Sequence, residues 1–122
     1  MEILIAAKDK LVRSSLALLI EYEGRKDRIQ NTGDPISFLE ILRNFYIDLV
    51  VIDWDFFFNE NFEMMTLLKK AYPDIAFIVT GIKKENKREA ANADMDAFYM
   101  LSDSPEELIK IIDSFRKNGS FS

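Results

Sequence analysis

The sequence predicts an α/β protein with a parallel sheet covered by helices on both faces. Two observations carry this reading. Three short runs with apolar centres, residues 48–53, 75–80 and 96–101, read as strands buried on both sides. Segments with apolar residues at helical spacing alternate with the strands along the chain. Alternating units of this length favour parallel strands joined by right-handed crossovers, with helices packed on each face.

Each element has its own local reason. Residues 2–7, EILIAA, form the first strand, an apolar run rich in β-formers. KDKLVRSSLALLIEYEG follows, with an apolar face at 11, 12, 16, 18, 19, 20 and 22 and Gly24 as its stop. KDRIQ, 26–30, is a polar second strand, which only a sheet edge tolerates. Asp34 then caps a helix that starts at Pro35 and repeats apolar residues through Phe38, Leu39, Ile41, Leu42 and Phe45. After the third strand, 48–53, helical spacing returns over 60–71 through Phe62, Met65, Leu67, Leu68 and Ala71, and YPD ends it. IAFIVT, 75–80, is the fourth strand, and KKENKREAANA, 83–93, a polar exposed helix. DAFYML, 96–101, is the fifth strand. The last helix has Ser104 as its cap, Pro105 at its first position, Gly119 as its stop, and an apolar face of Leu108, Ile109, Ile111, Ile112 and Phe115. Met64 and Met65 read as core filler rather than as a metal box.

Composition narrows the function. A chain of 122 residues fits one domain, read as 1–117, with 118–122 as a tail or the start of a linker to an output domain. There is no cysteine and no histidine, so thiolate sites and the commonest general base and zinc ligand are absent. The net charge of -5 argues against a free-standing nucleic-acid binder. The basic cluster Lys83, Lys84, Lys87 and Arg88 is interrupted by Glu85 and Glu89 and reads as a solvated helix face. No apolar run approaches the roughly 20 residues of a membrane span, and the first residues read as strand rather than as a leader. A cytoplasmic location is the resulting expectation.

In open parallel sheets the functional crevice lies beyond the carboxyl ends of the strands. That places Ala7-Lys8-Asp9, Asp53-Trp54-Asp55, Thr80-Gly81 and Leu101-Ser102 together. No Gly-rich phosphate loop follows the first strand, which excludes dinucleotide and P-loop readings. Phe56, Phe57 and Phe58 follow the crevice acids. Successive side chains diverge, so all three cannot face the core: either they form a docking surface, or one or two tuck under the third helix while one stays exposed. Trp54 is expected to cover the crevice in part.

The pieces ILIAAKDKLVRSSLALLIE, IDLVVID, PDIAFIVTG and ADMDAFYMLSDSPEELIKII, in this order, resemble the receiver domain of two-component response regulators over about residues 2 to 117. The resemblance implies a flavodoxin-like (βα)5 doubly wound sheet with strand order 2-1-3-4-5. It makes Asp53 the phosphoacceptor position, Thr80 the hydroxyl position with the small Gly81 after it, and Phe98 the switch aromatic. It assigns the acid pair that holds Mg²⁺ to Ala7 and Lys8, and the lysine to Leu101 with Ser102 in place of proline.

These departures oppose the chemistry. Phosphoryl transfer to a carboxylate depends on positioning and charge neutralisation. Ala7 donates nothing, Lys8 puts a positive charge where a cation should sit, and Leu101 forms no ion pair. Asp9 reads as the cap of the first helix and Asp55 as a solvated loop acid, so no metal is expected; Asp9, Asp53 and Asp55 are the metal candidates under the contrary reading. The expectation is therefore a degenerate, atypical receiver that is not an enzyme and acts through protein contacts with a partner or output domain. A homodimer through the fourth helix, fifth strand and fifth helix is implied by the resemblance. The alternative is a true phosphoacceptor using Asp53, with Mg²⁺ and a histidine kinase, as the regulatory part of a larger transcriptional regulator. A phosphohydrolase using Asp53 and Asp55 as nucleophile and acid/base is a third reading, which normally needs more chain for a cap and further acids.

Overall fold

The computed structural model describes residues 1–22 and 26–117. Five strands form one parallel sheet: β1 (Glu2–Ala6), β2 (Arg28–Thr32), β3 (Leu49–Asp53), β4 (Ala76–Gly81) and β5 (Ala97–Met100). The helices between and after them are α1 (Lys10–Tyr22), α2 (Pro35–Asn44), α3 (Asn61–Ala71), α4 (Lys84–Asn92) and α5 (Pro105–Lys117). The strand order is β2-β1-β3-β4-β5, the doubly wound flavodoxin-like order the sequence implied.

Alternation along the strands builds two cores. Leu4, Ala6, Val50, Ile52, Phe77 and Val79 face α2, α3 and α4. Ile3, Ile5, Leu49, Val51 and Ile78 face α1 and α5, where Leu16, Ile20, Leu108 and Ile112 meet them. Met65 is fully buried and Met64 packs beside it, as expected of core filler.

Most expected elements fall within a residue or two of their places. The polar second strand lies two residues later than expected, at Arg28–Thr32, and on the sheet edge. Asp34 caps α2 through Ser37 N at 2.9 Å, with Pro35 opening the helix. Asp9 caps α1, its Oδ1 accepting from Leu11 N at 2.8 Å. The expected stops Gly24 and Gly119, and the tail 118–122, lie outside the described residues.

The aromatic segment departs from expectation in its backbone. Residues Trp54–Glu60 form a 3-10 helix rather than an open loop. The Asn61 side chain accepts from Phe57 N at 2.9 Å, locking this turn onto the start of α3. Phe56 and Phe57 are both buried, and both meet the Phe38 ring edge-on at 5.4 and 5.8 Å. Both are core residues, as in the reading that tucks one or two of the rings inward; the Phe58 side chain lies outside the described residues. Trp54, expected over the crevice, is buried in the same core.

Candidate functional site

The carboxyl ends of β1, β3, β4 and β5 bring the expected residues to one rim. Asp53 and Thr80 are register partners at the ends of β3 and β4, and the Thr80 hydroxyl donates to Asp53 Oδ1 at 3.2 Å. Thr80 is fully buried and Asp53 half-buried. Burial pushes the Asp53 carboxyl above its ordinary range, and the nearby Asp55 charge adds to that. The Thr80 hydroxyl, the Trp54 backbone N–H and the Lys8 charge oppose the shift without cancelling it. Lys8 and Asp55, both exposed, therefore act on Asp53 with opposite sign.

Gly81 continues β4 under a crowded roof. A Cβ there would stand 2.8 Å from Asn86 Oδ1 and 3.1 Å from the tip of the Phe98 ring. Asn86, in the first turn of α4, reaches back to accept from Lys83 N at 3.2 Å. Phe98 packs inward against the α2–α4 core. Leu101 packs the opposite way, against the α1–α5 core.

The first strand ends in buried Ala7 and exposed Lys8. Arg13, one turn into α1, folds back over them: its Nη1 donates to the carbonyls of Ala7 at 2.8 Å and Lys8 at 3.0 Å. A Cβ on Gly33 would collide with this guanidinium, so glycine lets the β2–α2 loop close over it. Sequence reasoning missed Arg13 and Asn86. A helical side chain leans toward the helix N-terminus, and a long one in the first turn can reach the preceding strand end; that was the available signal.

The donor set was tested against the Mg²⁺ that the resemblance implies. Such an ion wants several oxygen ligands around one point. Here the Asp9 carboxylate is engaged with the α1 backbone, the Ala7 and Lys8 carbonyls with Arg13, and the second acid-pair position carries a cation. That leaves Asp53 and Asp55, with the positive charge of Lys8 already acting on Asp53. These residues do not fit a divalent cation. No group of three or more acids is placed to hold a metal among the described residues.

No family model matches the chain, and no curated protein matches it in sequence. Solved structures do match in fold. A CheY-like response regulator receiver domain from Methanospirillum hungatei JF-1 superposes with a TM-score of 0.79 at 23% identity, over 97% of this chain and 98% of that one. The receiver domain of the Francisella response regulator 1452 gives 0.79 at 21% identity, over 96% and 97%. The response regulator RcsB of Salmonella typhimurium gives 0.86 at 14% identity, over all of this chain and 62% of RcsB. The fold is that of response regulator receiver domains. None of the described helices is long and apolar enough to cross a membrane.

Proposed function

We propose that this chain is a receiver-type signalling module of the cytoplasm that acts through protein–protein contact, without Mg²⁺-dependent phosphorylation and without enzymatic activity. The observation that carries this reading is the end of β1. Ala7 and Lys8 replace the acid pair, and Arg13 occupies the backbone oxygens beside them. Leu101, in the lysine position, packs into the α1–α5 core and offers no cation to a phosphoryl group.

The module's contact for a protein partner or an attached output domain is the face of α4, β5 and α5. On it α4 presents exposed Lys83, Lys84, Lys87 and Arg88 interleaved with Glu85 and Glu89, a pattern suited to a charged protein surface. RcsB, a response regulator characterised for DNA interaction and longer than the chain it matches, supports the attached-domain arrangement.

A phosphoacceptor reading keeps one observation in its favour: Asp53 and Thr80 remain paired at adjacent strand ends. Intact-mass measurement after incubation with acetyl phosphate and Mg²⁺ separates the two. The proposed function predicts no mass change; one added phosphoryl group that Asp53→Asn abolishes selects the phosphoacceptor.

A further inference from the structure

Helix α1 presents an apolar stripe to solvent. Leu11 is 74% exposed and Leu18 67%, two turns apart, or about 10 Å along the axis. Between them stand exposed Ser14 and Ser15, which keep the helix surface low. No charged residue occurs from Ser14 to Ile20. Charges bracket this stretch, with exposed Lys10 at one end and exposed Glu21 at the other. The two lie about three full turns apart and so share one edge of the stripe. Beside it, Leu11, Val12, Leu16 and Leu19 of α1 and Tyr99 and Leu101 of the β5 region line an open groove of about 300 Å³.

By contrast, the Phe98–Leu101 segment is drawn inward: Tyr99 is buried, and Phe98 and Leu101 pack against the two cores. Among the described residues, no large apolar side chain counted as exposed stands on α4, β5 or α5. The stripe on α1 therefore offers an apolar contact that this face does not.

We propose that α1 is a self-association surface on which two copies of this chain pack antiparallel. A two-fold axis passing between Ser14 and Ser15 sets Leu11 of each copy against Leu18 of the other, a self-complementary contact. Leu18 then sits at the mouth of the second copy's groove, which Leu11 rims. The charge pattern chooses the direction. Antiparallel packing sets the charged edges of the two copies side by side and brings Lys10 of each toward Glu21 of the other; parallel packing would put those edges on opposite sides of the contact and form neither pair. Of the rim segments Leu101 lines the groove, while neither Asp53 nor Thr80 takes part, so the association is independent of any phosphoryl group on Asp53.

Sedimentation equilibrium of the whole chain across a concentration series tests this, with thermal melts to establish that each variant is folded. The parent should dimerise with a dissociation constant on the order of 0.1 mM, as suits an interface at the small end of the range. Leu18→Glu, at an exposed site, should weaken the dimer by about tenfold or more. Lys10→Glu and Glu21→Lys should each weaken it by roughly 3- to 10-fold, because each creates two like-charge pairs per dimer. The double variant Lys10→Glu/Glu21→Lys should return to within about twofold of the parent, since it restores both pairs. A parent that stays monomeric at about 1 mM, a Leu18→Glu variant that dimerises as the parent does, or a charge swap no better than its single changes would overturn the proposal.

Discussion

The Thr80 hydroxyl and the Asp53 carboxylate meet at 3.2 Å across the register pair that closes β3 and β4. This hydrogen bond holds the one acid of the rim that combines burial with a neighbouring negative charge. Burial and Asp55 leave the Asp53 carboxyl above its ordinary range, so its ionised form works against folding. The stability this group confers is fully present below the ordinary carboxylate pKa and is lost as pH rises through its raised folded-state value. Asp53→Asn should therefore raise the melting temperature by a few degrees at pH 7. The gain should fade as pH drops below the ordinary aspartate range. Melts of parent and variant at matched pH values check this.

Thr80→Val probes the same bond from the other side. It keeps the buried volume but removes the donor, leaving Asp53 with less support. It should destabilise by about 1–2 kcal/mol in urea unfolding, and by much less in an Asp53→Val background, where no acceptor remains.

At the opposite end of the sheet the sign reverses. The Asp27 carboxylate is almost fully buried, where it accepts from Arg116 of α5 and from the Met1 amine. Burial alone would raise its pKa, but these hydrogen bonds and charges outweigh burial and lower it. The stability gained is present above the ordinary aspartate pKa and is lost as pH falls through the lowered folded-state value. Arg116→Met should destabilise by roughly 1–3 kcal/mol at pH 7, since Asp27 loses its bidentate partner. That difference should narrow in acid, as the Asp53→Asn gain does, but from the opposite sign.

Gly81→Ala should destabilise by about 1–3 kcal/mol, because its Cβ meets Asn86 and the Phe98 ring. Adding Phe98→Leu should recover part of the loss, a coupling that a double-mutant cycle in urea reads directly.

The sheet was legible because apolar runs, the Asp34-Pro35 start and the Asp9 cap are local signals. The winding that buries Phe56 and Phe57 was not. Divergence of successive side chains holds for a strand, but the segment winds into a 3-10 helix pinned by Asn61, and Phe38 supplies a distant partner for both rings. Phe56→Ala should accordingly lose about 3–5 kcal/mol as a core truncation, measured by urea unfolding. At the rim, Asp53, Thr80 and Gly81 were visible from strand ends alone. Arg13 was not, because what it bonds is backbone oxygen, which no residue type in the sequence advertises.

On the proposed function the rim lacks what phosphoryl chemistry needs, and restoring those groups puts the proposal to the test. The change is Ala7→Asp, Lys8→Asp and Leu101→Lys together, which returns two acids for a cation and a lysine near Thr80. Parent and variant are incubated with acetyl phosphate and Mg²⁺ and weighed intact. The parent should stay unmodified, and the triple variant should gain one hydroxylamine-labile phosphoryl group, absent when Asp53 is also changed to Asn. A parent that takes up the phosphoryl group at Asp53 would contradict the proposed function.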